Sequence, residues 1–374
     1  MKVLLSVRGL RKREGGPTYT VPRLASALSS RGHDVRILVD AFDIPECADF
    51  SIVKRRDLTV PLWKFVREFD IVHDNGTWLP FNHAVANASR KAGVPRVVSP
   101  RGSLQPWVMK QHRLRKLLGW FFYQETDLKN AQALVTTAEI EAEQMRLLGY
   151  EGPIRVVPNG VDEPSGYSKK VTDPAAKKIA LFLARIHPKK GLGDLIEAWT
   201  ALKPSGWILY VAGPDDEGIA RQLSRRVASV EDMRDAIRFL GPVYGEEREA
   251  LYREASLYVL PTYSENFGVS VAEAMMMGTP VLTTTETPWD LLRTKGLGWI
   301  CEPGAKSLRE ALKVPLSLDA ISLAAIGEKG REYIHGRYSW NAIAMSMEQV
   351  YLEVSKNPSE AIAMPHLDFC SREI

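Results

Sequence analysis

Cysteine is scarce in this chain and long apolar runs are missing. The 374 residues include three cysteines, Cys47, Cys301 and Cys370, far apart and without metal-ligand spacing. They read as unpaired thiols in a reducing, cytoplasmic setting, which excludes a disulfide scaffold and a zinc site. No apolar stretch approaches the ~20 residues that a membrane-crossing helix needs. The start, Met-Lys-Val-Leu-Leu-Ser-Val-Arg, is too short an apolar run for a signal peptide and reads as a first strand. A G-x-G-x-x-G fingerprint is absent as well. The turn after the first strand is Glu14-Gly15-Gly16-Pro17, which counts against a dinucleotide cofactor, and no cofactor is expected. The net charge is only +4. That suits an anionic substrate or an anionic membrane surface, and no nucleic-acid partner is expected.

What is present describes a soluble globular protein, with 45% hydrophobic and 25% charged residues. The length suggests two domains. Short Val/Ile/Leu runs alternate with helical periodicity, the βαβ pattern of a parallel doubly wound sheet. Strands are expected at residues 2–7, 34–39, 70–73, 96–99, 133–136 and 154–157 in the first half. The second half repeats them at 178–184, 207–212, 237–240, 257–260 and 280–284. The predicted division is a first domain over 1–160, a Pro/Gly/Ser-rich linker over 161–177 and a second domain over 178–336. A terminal helix over 337–356 and a loose tail over 357–374 complete it.

The densest chemistry lies in residues 261–280, where Glu265 and Glu273 bracket an Asn-Phe-Gly turn at the start of a short apolar helix. The first N–H groups of a helix lack internal partners and carry partial positive charge, so this N-terminus is a ready anion site. With Asn266 as the cap, Glu273 lies about two turns in, roughly 10 Å along the axis. Asn266, Ser270 and Glu273 then share one face, and Val269, Ala272 and Met276 the buried one. One carboxylate can address a group beside the anion and the other a group about a sugar-plus-phosphate away. Spacing alone does not separate this from a chance pair; the neighbouring segments do.

The strand over 178–184 ends in Arg185-Ile-His-Pro-Lys-Lys190-Gly. Ligands of an open α/β sheet sit beyond the carboxyl ends of its strands. There Arg185 offers a planar fork of donors and Lys190 a point charge for phosphate oxygens. Two fixed cations stabilise a leaving nucleoside diphosphate as its charge grows.

Together these segments resemble the E-x7-E signature and Arg-x4-Lys pair of the retaining GT-B glycosyltransferases of family 4, and the resemblance covers most of residues 1–355. It implies an α/β fold of two Rossmann-like doubly wound parallel-sheet domains facing each other across a cleft, with the terminal helix crossing back to the first. By the same resemblance Arg185 and Lys190 bind the donor diphosphate, Glu273 the ribose hydroxyls, and Glu265 lies beside the donor sugar. Asn266, Phe267 and Gly268 form the turn between the glutamates. The Gly16 loop faces the donor, and backbone groups around Val243 read the nucleobase. Glu265, Arg185 and Lys190 are the catalytic candidates.

No D-x-D, the metal signature of the other major glycosyltransferase fold, occurs here, and Asp215-Asp216 reads as a helix cap. Metal-independent chemistry is expected. On the acceptor side, Asn75, Trp78 and Arg101 follow strands and are candidate contacts. Many relatives carry a histidine where this chain has Arg101, so no catalytic histidine is assigned, and His73 reads as structural. Residues 106–123 interleave Lys110, Arg113, Arg115 and Lys116 with Trp107, Trp120 and two phenylalanines. That is either a surface helix packed on the sheet or a basic aromatic helix meeting an anionic bilayer, with the protein peripheral on the inner membrane face.

The implied activity is retaining transfer of a hexose-type sugar from a UDP-sugar or GDP-sugar to a saccharide or lipid-linked saccharide, in bacterial surface polysaccharide or lipopolysaccharide synthesis. A GT-B-like nucleotide-sugar 2-epimerase would need additional acids and bases. A non-catalytic nucleotide-sugar binder would be marked by loss of Arg185, Lys190 or Glu265, and all three are present.

Overall fold

In β1 (Lys2–Ser6), Val3 and Leu5 enter one core and Leu4 another, so both faces of the strand are buried. This is why its sequence is a continuous apolar run rather than an alternation. The computed structural model describes residues 1–11, 16–44, 47–104, 113–164, 177–215, 217–229, 233 and 235–356, and it extends the pattern to two parallel sheets, each in its own unit.

The first unit comprises Met1–Gly160 and the chain from Trp340 onward. After β1 come β2 (Gly9–Leu10), β3 (Asp34–Val39), β4 (Ala41–Phe42), β5 (Ser51–Lys54), β6 (Ile71–Asn75), β7 (Arg96–Ser99), β8 (Ala133–Thr136) and β9 (Ile154–Val156). Seven of them form one sheet in the order β5-β3-β1-β6-β7-β8-β9, while β2 and β4 pair separately. The chain builds outward from β1 to β5, returns beside β1 as β6, and builds the other way. The reversal between β1 and β6 is a topological switch point, where ligands of such sheets bind.

The second unit, Val161–Ser339, holds β10 (Lys178–Leu183), β11 (Trp207–Ala212), β12 (Ile237–Gly241), β13 (Leu257–Leu260), β14 (Val281–Thr284) and β15 (Gly298–Cys301). Their order is β12-β11-β10-β13-β14-β15, with its switch point between β10 and β13. The doubly wound α/β fold expected from the sequence is therefore present. The edge strands β5 and β15 are additional, and both are only partly buried.

Pro22 lies inside the helix Gly16–Ser30, which nonetheless continues to Ser30 and buries Val21, Leu24, Ala25 and Leu28. That helix packs against Trp340–Lys356, whose Ile343, Met347, Val350 and Tyr351 enter the same core. Arg31 ties the pair at its rim, donating through Nε (3.0 Å) and Nη2 (2.6 Å) to Glu348. The preceding helix runs Ala320–Tyr338 and the break falls at Ser339. Of the expected linker, residues 165–176 lie outside the described residues, as does the tail from 357; the Val161 N–H donates to the Tyr338 carbonyl.

His73 has no exposed surface and bonds through Nδ1 to the Tyr351 hydroxyl and through Nε2 to Ser99, both at 2.8 Å. Burial, and secondarily the charge of Arg101, push its imidazole down to about 3. An unfolded chain protonates this ring near its ordinary value of 6.5, so stability from the neutral ring is present above that pH and is lost as pH falls towards 3. The loss at pH 5 is about 2 kcal/mol. The thermal midpoint of the wild type is expected to drop more between pH 7 and 5 than that of His73→Gln. Parallel drops, measured by calorimetry, would remove His73 as the titrating group.

Candidate functional site

Adjacent strands β10 and β13 end side by side at the switch point of the second unit, and their loops carry the two sequence motifs. The Lys189 carbonyl accepts from both the Thr262 hydroxyl (3.0 Å) and the Tyr263 N–H (2.7 Å). Gly191 adopts φ +69°, and a Cβ there would lie 1.9 Å from the Pro261 carbonyl oxygen, so only glycine permits this approach. Tyr263 also donates to Asp194 (2.7 Å). On the far side, Thr284 donates to the Thr262 carbonyl (2.6 Å) and Glu265 N–H to the Glu286 carbonyl (3.0 Å). The two loops are thus held as one rigid piece.

This docking brings the Lys190 ammonium onto Glu265 Oε1, an ion pair with both side chains more than four-fifths buried. Arg185, by contrast, is exposed and makes no hydrogen bond or ion pair among the described residues. Its field reaches Lys189, whose ammonium is lowered first by burial, then held up by Glu265 and lowered again by Lys190 and Arg185. Three cations and one carboxylate therefore share the strand ends. Lys189 was not singled out in the sequence; its adjacency to Lys190 was the available signal.

The helix after Glu265 differs from expectation. It runs Val269–Met276 with Gly268, at φ +75°, as the N-cap, and no side chain caps it. Asn266 lies two residues before the cap. Glu273 is then about one turn in, roughly 6 Å from Val269. Nor does the helix have a polar face: Val271, Ala272, Glu273, Ala274, Met275 and Met276 are all buried, while Val269 and Ser270 are partly exposed. The local rule that Asn caps helices loses to packing, because the Trp289 indole donates to the Phe267 carbonyl at 2.5 Å and fixes the turn. Phe267, Trp289 and Tyr338 form an aromatic cluster with centroids 5.2 to 6.0 Å apart.

Glu273 accepts on Oε2 from Arg248 and from the Tyr252 hydroxyl (3.1 Å). Arg248 comes from the helix Gly245–Glu254, and nothing local in the sequence pairs it with Glu273. Val243, in the turn after β12, is buried and packs in the core of the second unit. Asp215 accepts from the N–H groups of Ile219 (2.8 Å) and Ala220 (3.0 Å), as expected of a cap; Asp216 lies outside the described residues.

The remaining candidates are in the first unit. Gly16, exposed, begins the helix Gly16–Ser30; Gly15 is outside the described residues. Asn75 and Arg101 are brought together: Arg101 donates through Nε (3.0 Å) and Nη2 (2.6 Å) to Asn75 Oδ1, and through Nη1 to Asn159 (3.0 Å) and Thr20 (3.3 Å). Arg101 thus ties the end of β6 to the helix Gly16–Ser30 and to the chain after β9. Trp78 is anchored by its N–H to Gln124 (2.6 Å) and by its indole to the Ser103 carbonyl (3.0 Å). Both Trp78 (φ 71°) and Arg101 (φ 52°) take left-handed backbone conformations.

Comparison with known proteins matches this architecture. Residues 14–163 fit the family described as Glycosyltransferase Family 4, and residues 167–333 fit Glycosyl transferases group 1. The chain is 30% identical to the phosphatidyl-myo-inositol mannosyltransferase of Mycobacterium leprae over 92% of its own length and 95% of that protein. It is 28% identical to D-inositol 3-phosphate glycosyltransferase 2 of Catenulispora acidiphila over 64% of its length, and spans 60% of that relative. The solved structure of HepE from Anabaena in complex with UDP and glucose is similar in fold, with a TM-score of 0.70 at 16% identity, covering 94% of this chain and 100% of that one. The two switch-point sheets, the two family matches and the near full-length relative lead to one conclusion: the chain belongs to the glycosyltransferases of the GT-B fold.

Proposed function

We propose that the protein is a retaining, metal-independent hexosyltransferase that uses a nucleotide-sugar donor, UDP-linked or GDP-linked, and a saccharide or lipid-linked saccharide acceptor in bacterial surface polysaccharide or lipopolysaccharide synthesis. The observation that carries this reading is the docking of the Arg185–Lys190 loop on the Glu265 loop at the β10/β13 switch point. A diphosphate placed there meets Arg185, Lys189 and Lys190, and the uncapped N-terminus of Val269–Met276 adds unpaired N–H groups. Glu265 orients Lys190 and lies where a donor sugar would follow. Glu273, fixed by Arg248 and Tyr252, takes the ribose hydroxyls. The leaving diphosphate is neutralised by side chains rather than by a metal, and a donor phosphate oxygen assists deprotonation of the acceptor hydroxyl on the same face.

Arg185→Ala and Lys190→Ala are each expected to lower kcat about 10²–10³-fold, or about 3–4 kcal/mol of barrier, in assays run with EDTA across UDP-sugars and GDP-sugars. Near-normal turnover in both variants would refute the diphosphate assignment. Glu273→Ala is expected to weaken binding of free nucleoside diphosphate, because a ribose contact is similar in ground and transition states, whereas Glu265→Ala lowers kcat. Equal losses of nucleotide affinity in calorimetry would overturn that division.

A membrane-facing role for the basic aromatic segment is part of the proposal, with different contacts from those expected. Residues 105–112, including Trp107 and Lys110, lie outside the described residues, as do the side chains of Arg113 and Arg115. Trp120 is 4% exposed and packs in a core with Leu104, Leu128 and Trp78, so it is not an interfacial anchor. The π-helical turn Trp120–Gln124 instead leaves Phe121 80% and Phe122 74% exposed, with Leu118 at 60% beside them. Among the described residues no helix is long and apolar enough to cross a membrane; these three side chains, next to Lys116, suit insertion into an anionic interface. Phe121→Ser/Phe122→Ser is expected to lose most binding to anionic liposomes at low salt. Equal sedimentation of this variant and the wild type would end the membrane reading and shift the acceptor towards a soluble saccharide.

A further inference from the structure

A cleft of about 620 Å³ opens over the switch point of the first unit, and its polar lining is mainly cationic. Its walls follow the carboxyl ends of four adjacent strands in the order β5-β3-β1-β6: Arg55 after β5, Asp40 after β3, Arg8 after β1 and Trp78 after β6. Lys116, from the helix Arg113–Gly119, closes it, with its ammonium 6.0 Å from the Trp78 ring. Three cations therefore converge on a space that has a single carboxylate in its lining.

That carboxylate does not neutralise the site. Asp40 takes only Nε of Arg55 (2.8 Å), and the guanidinium lies over the Phe81 ring at 5.4 Å. The two terminal nitrogens of Arg55, the prongs that grip an oxyanion, have no partner among the described residues. Asp40 and Phe81 thus aim the fork without filling it. Arg8 is exposed, is anchored through its carbonyl by the Asp40 N–H (2.8 Å), and its guanidinium likewise has no partner among the described residues. Trp78 contributes an aromatic wall held in place by its two hydrogen bonds, and such walls stack on the apolar faces of sugar rings.

We infer that this cleft is an acceptor subsite for a saccharide bearing an oxyanion, phosphate or carboxylate, gripped by Arg8 and Arg55 while Trp78 supports the ring. The inference rests on the glycosyltransferase reading above and names the acceptor class. No residue of the donor set takes part.

Titration calorimetry with glucose 6-phosphate, glucuronate and glucose as probes tests it. The wild type is expected to bind at least one anionic sugar about tenfold or more tightly than glucose, with the advantage shrinking as salt is added. Arg8→Gln and, separately, Arg55→Gln are expected to erase that advantage and leave UDP or GDP affinity unchanged. No preference for either anionic sugar, or a preference that survives both substitutions, overturns the subsite. The nucleotide titration keeps the two readings apart: nucleotide binding without anion preference sinks only the subsite, and anion preference without nucleotide binding sinks only the donor assignment. Competition by neutral vesicles doped with a polyprenyl phosphate then sets the source. Displacement of the bound sugar phosphate supports a lipid-linked anion, and its absence supports a soluble one.

Discussion

One backbone carbonyl, that of Lys189, holds the loops after β10 and β13 together. It accepts from the Thr262 hydroxyl and the Tyr263 N–H at once, and Gly191 lets the β13 loop come close enough for this to happen. Lys190 meets Glu265 only because of that junction. A site that stabilises growing charge must have its groups in place before reaction, since reorganising them would consume the stabilisation they offer. The Arg185–Lys190 segment and the Glu265 segment are separated by 70 or more residues in sequence, yet strand adjacency makes them neighbours and the Lys189 carbonyl fixes their register.

The two units solve the same problem of strand-end loops with different chemistry. In the second, glycines occupy the left-handed positions, Gly191 and Gly268, at no steric penalty. In the first, Gly76 and Gly102 do the same, but Trp78 and Arg101 beside them also take left-handed conformations, at a cost of about 1–3 kcal/mol for each of these two. Both are held there by polar contacts: Trp78 through two N–H donors, Arg101 through Asn75, Asn159 and Thr20. Strain retained at two adjacent strand ends beside a cationic cleft fits a surface shaped for a ligand rather than for minimum energy.

Much of this was legible in the residue order. Interior strands such as β1 and β13 are buried on both faces and advertise themselves as unbroken apolar runs, so the doubly wound architecture and the strand-end location of Arg185, Lys190 and Glu265 could be read directly. Strands β5 and β15 could not, although the edge strands β9 and β12 could. β5 has only Ile52 and Val53, and β15 only three apolar residues after Gly298, too short a run to mark a strand. The cap at Gly268 was misplaced because a capping preference is a local rule, whereas the Trp289 hydrogen bond that sets the turn arrives from 22 residues away. Arg248 on Glu273 and the burial of Trp120 share that origin. Each is decided by tertiary neighbours, and Trp120 also by a π turn that rotates the following two phenylalanines outward.

The first unit is discontinuous, and this has a consequence for any dissection of the protein. The helix Trp340–Lys356 supplies Ile343, Ala344, Met347, Val350, Tyr351 and Val354 to a core otherwise built from the first 160 residues. A polypeptide ending at Gly160 therefore lacks part of its own interior, uncovers part of the Val21–Leu28 face of its first helix and deprives His73 of its Tyr351 hydroxyl, leaving it Ser99. The second unit is a single uninterrupted stretch and carries its core whole. On a translating ribosome the order of completion is thus the reverse of the order of synthesis: the later-made unit can close first, and the earlier one waits for the helix Trp340–Lys356.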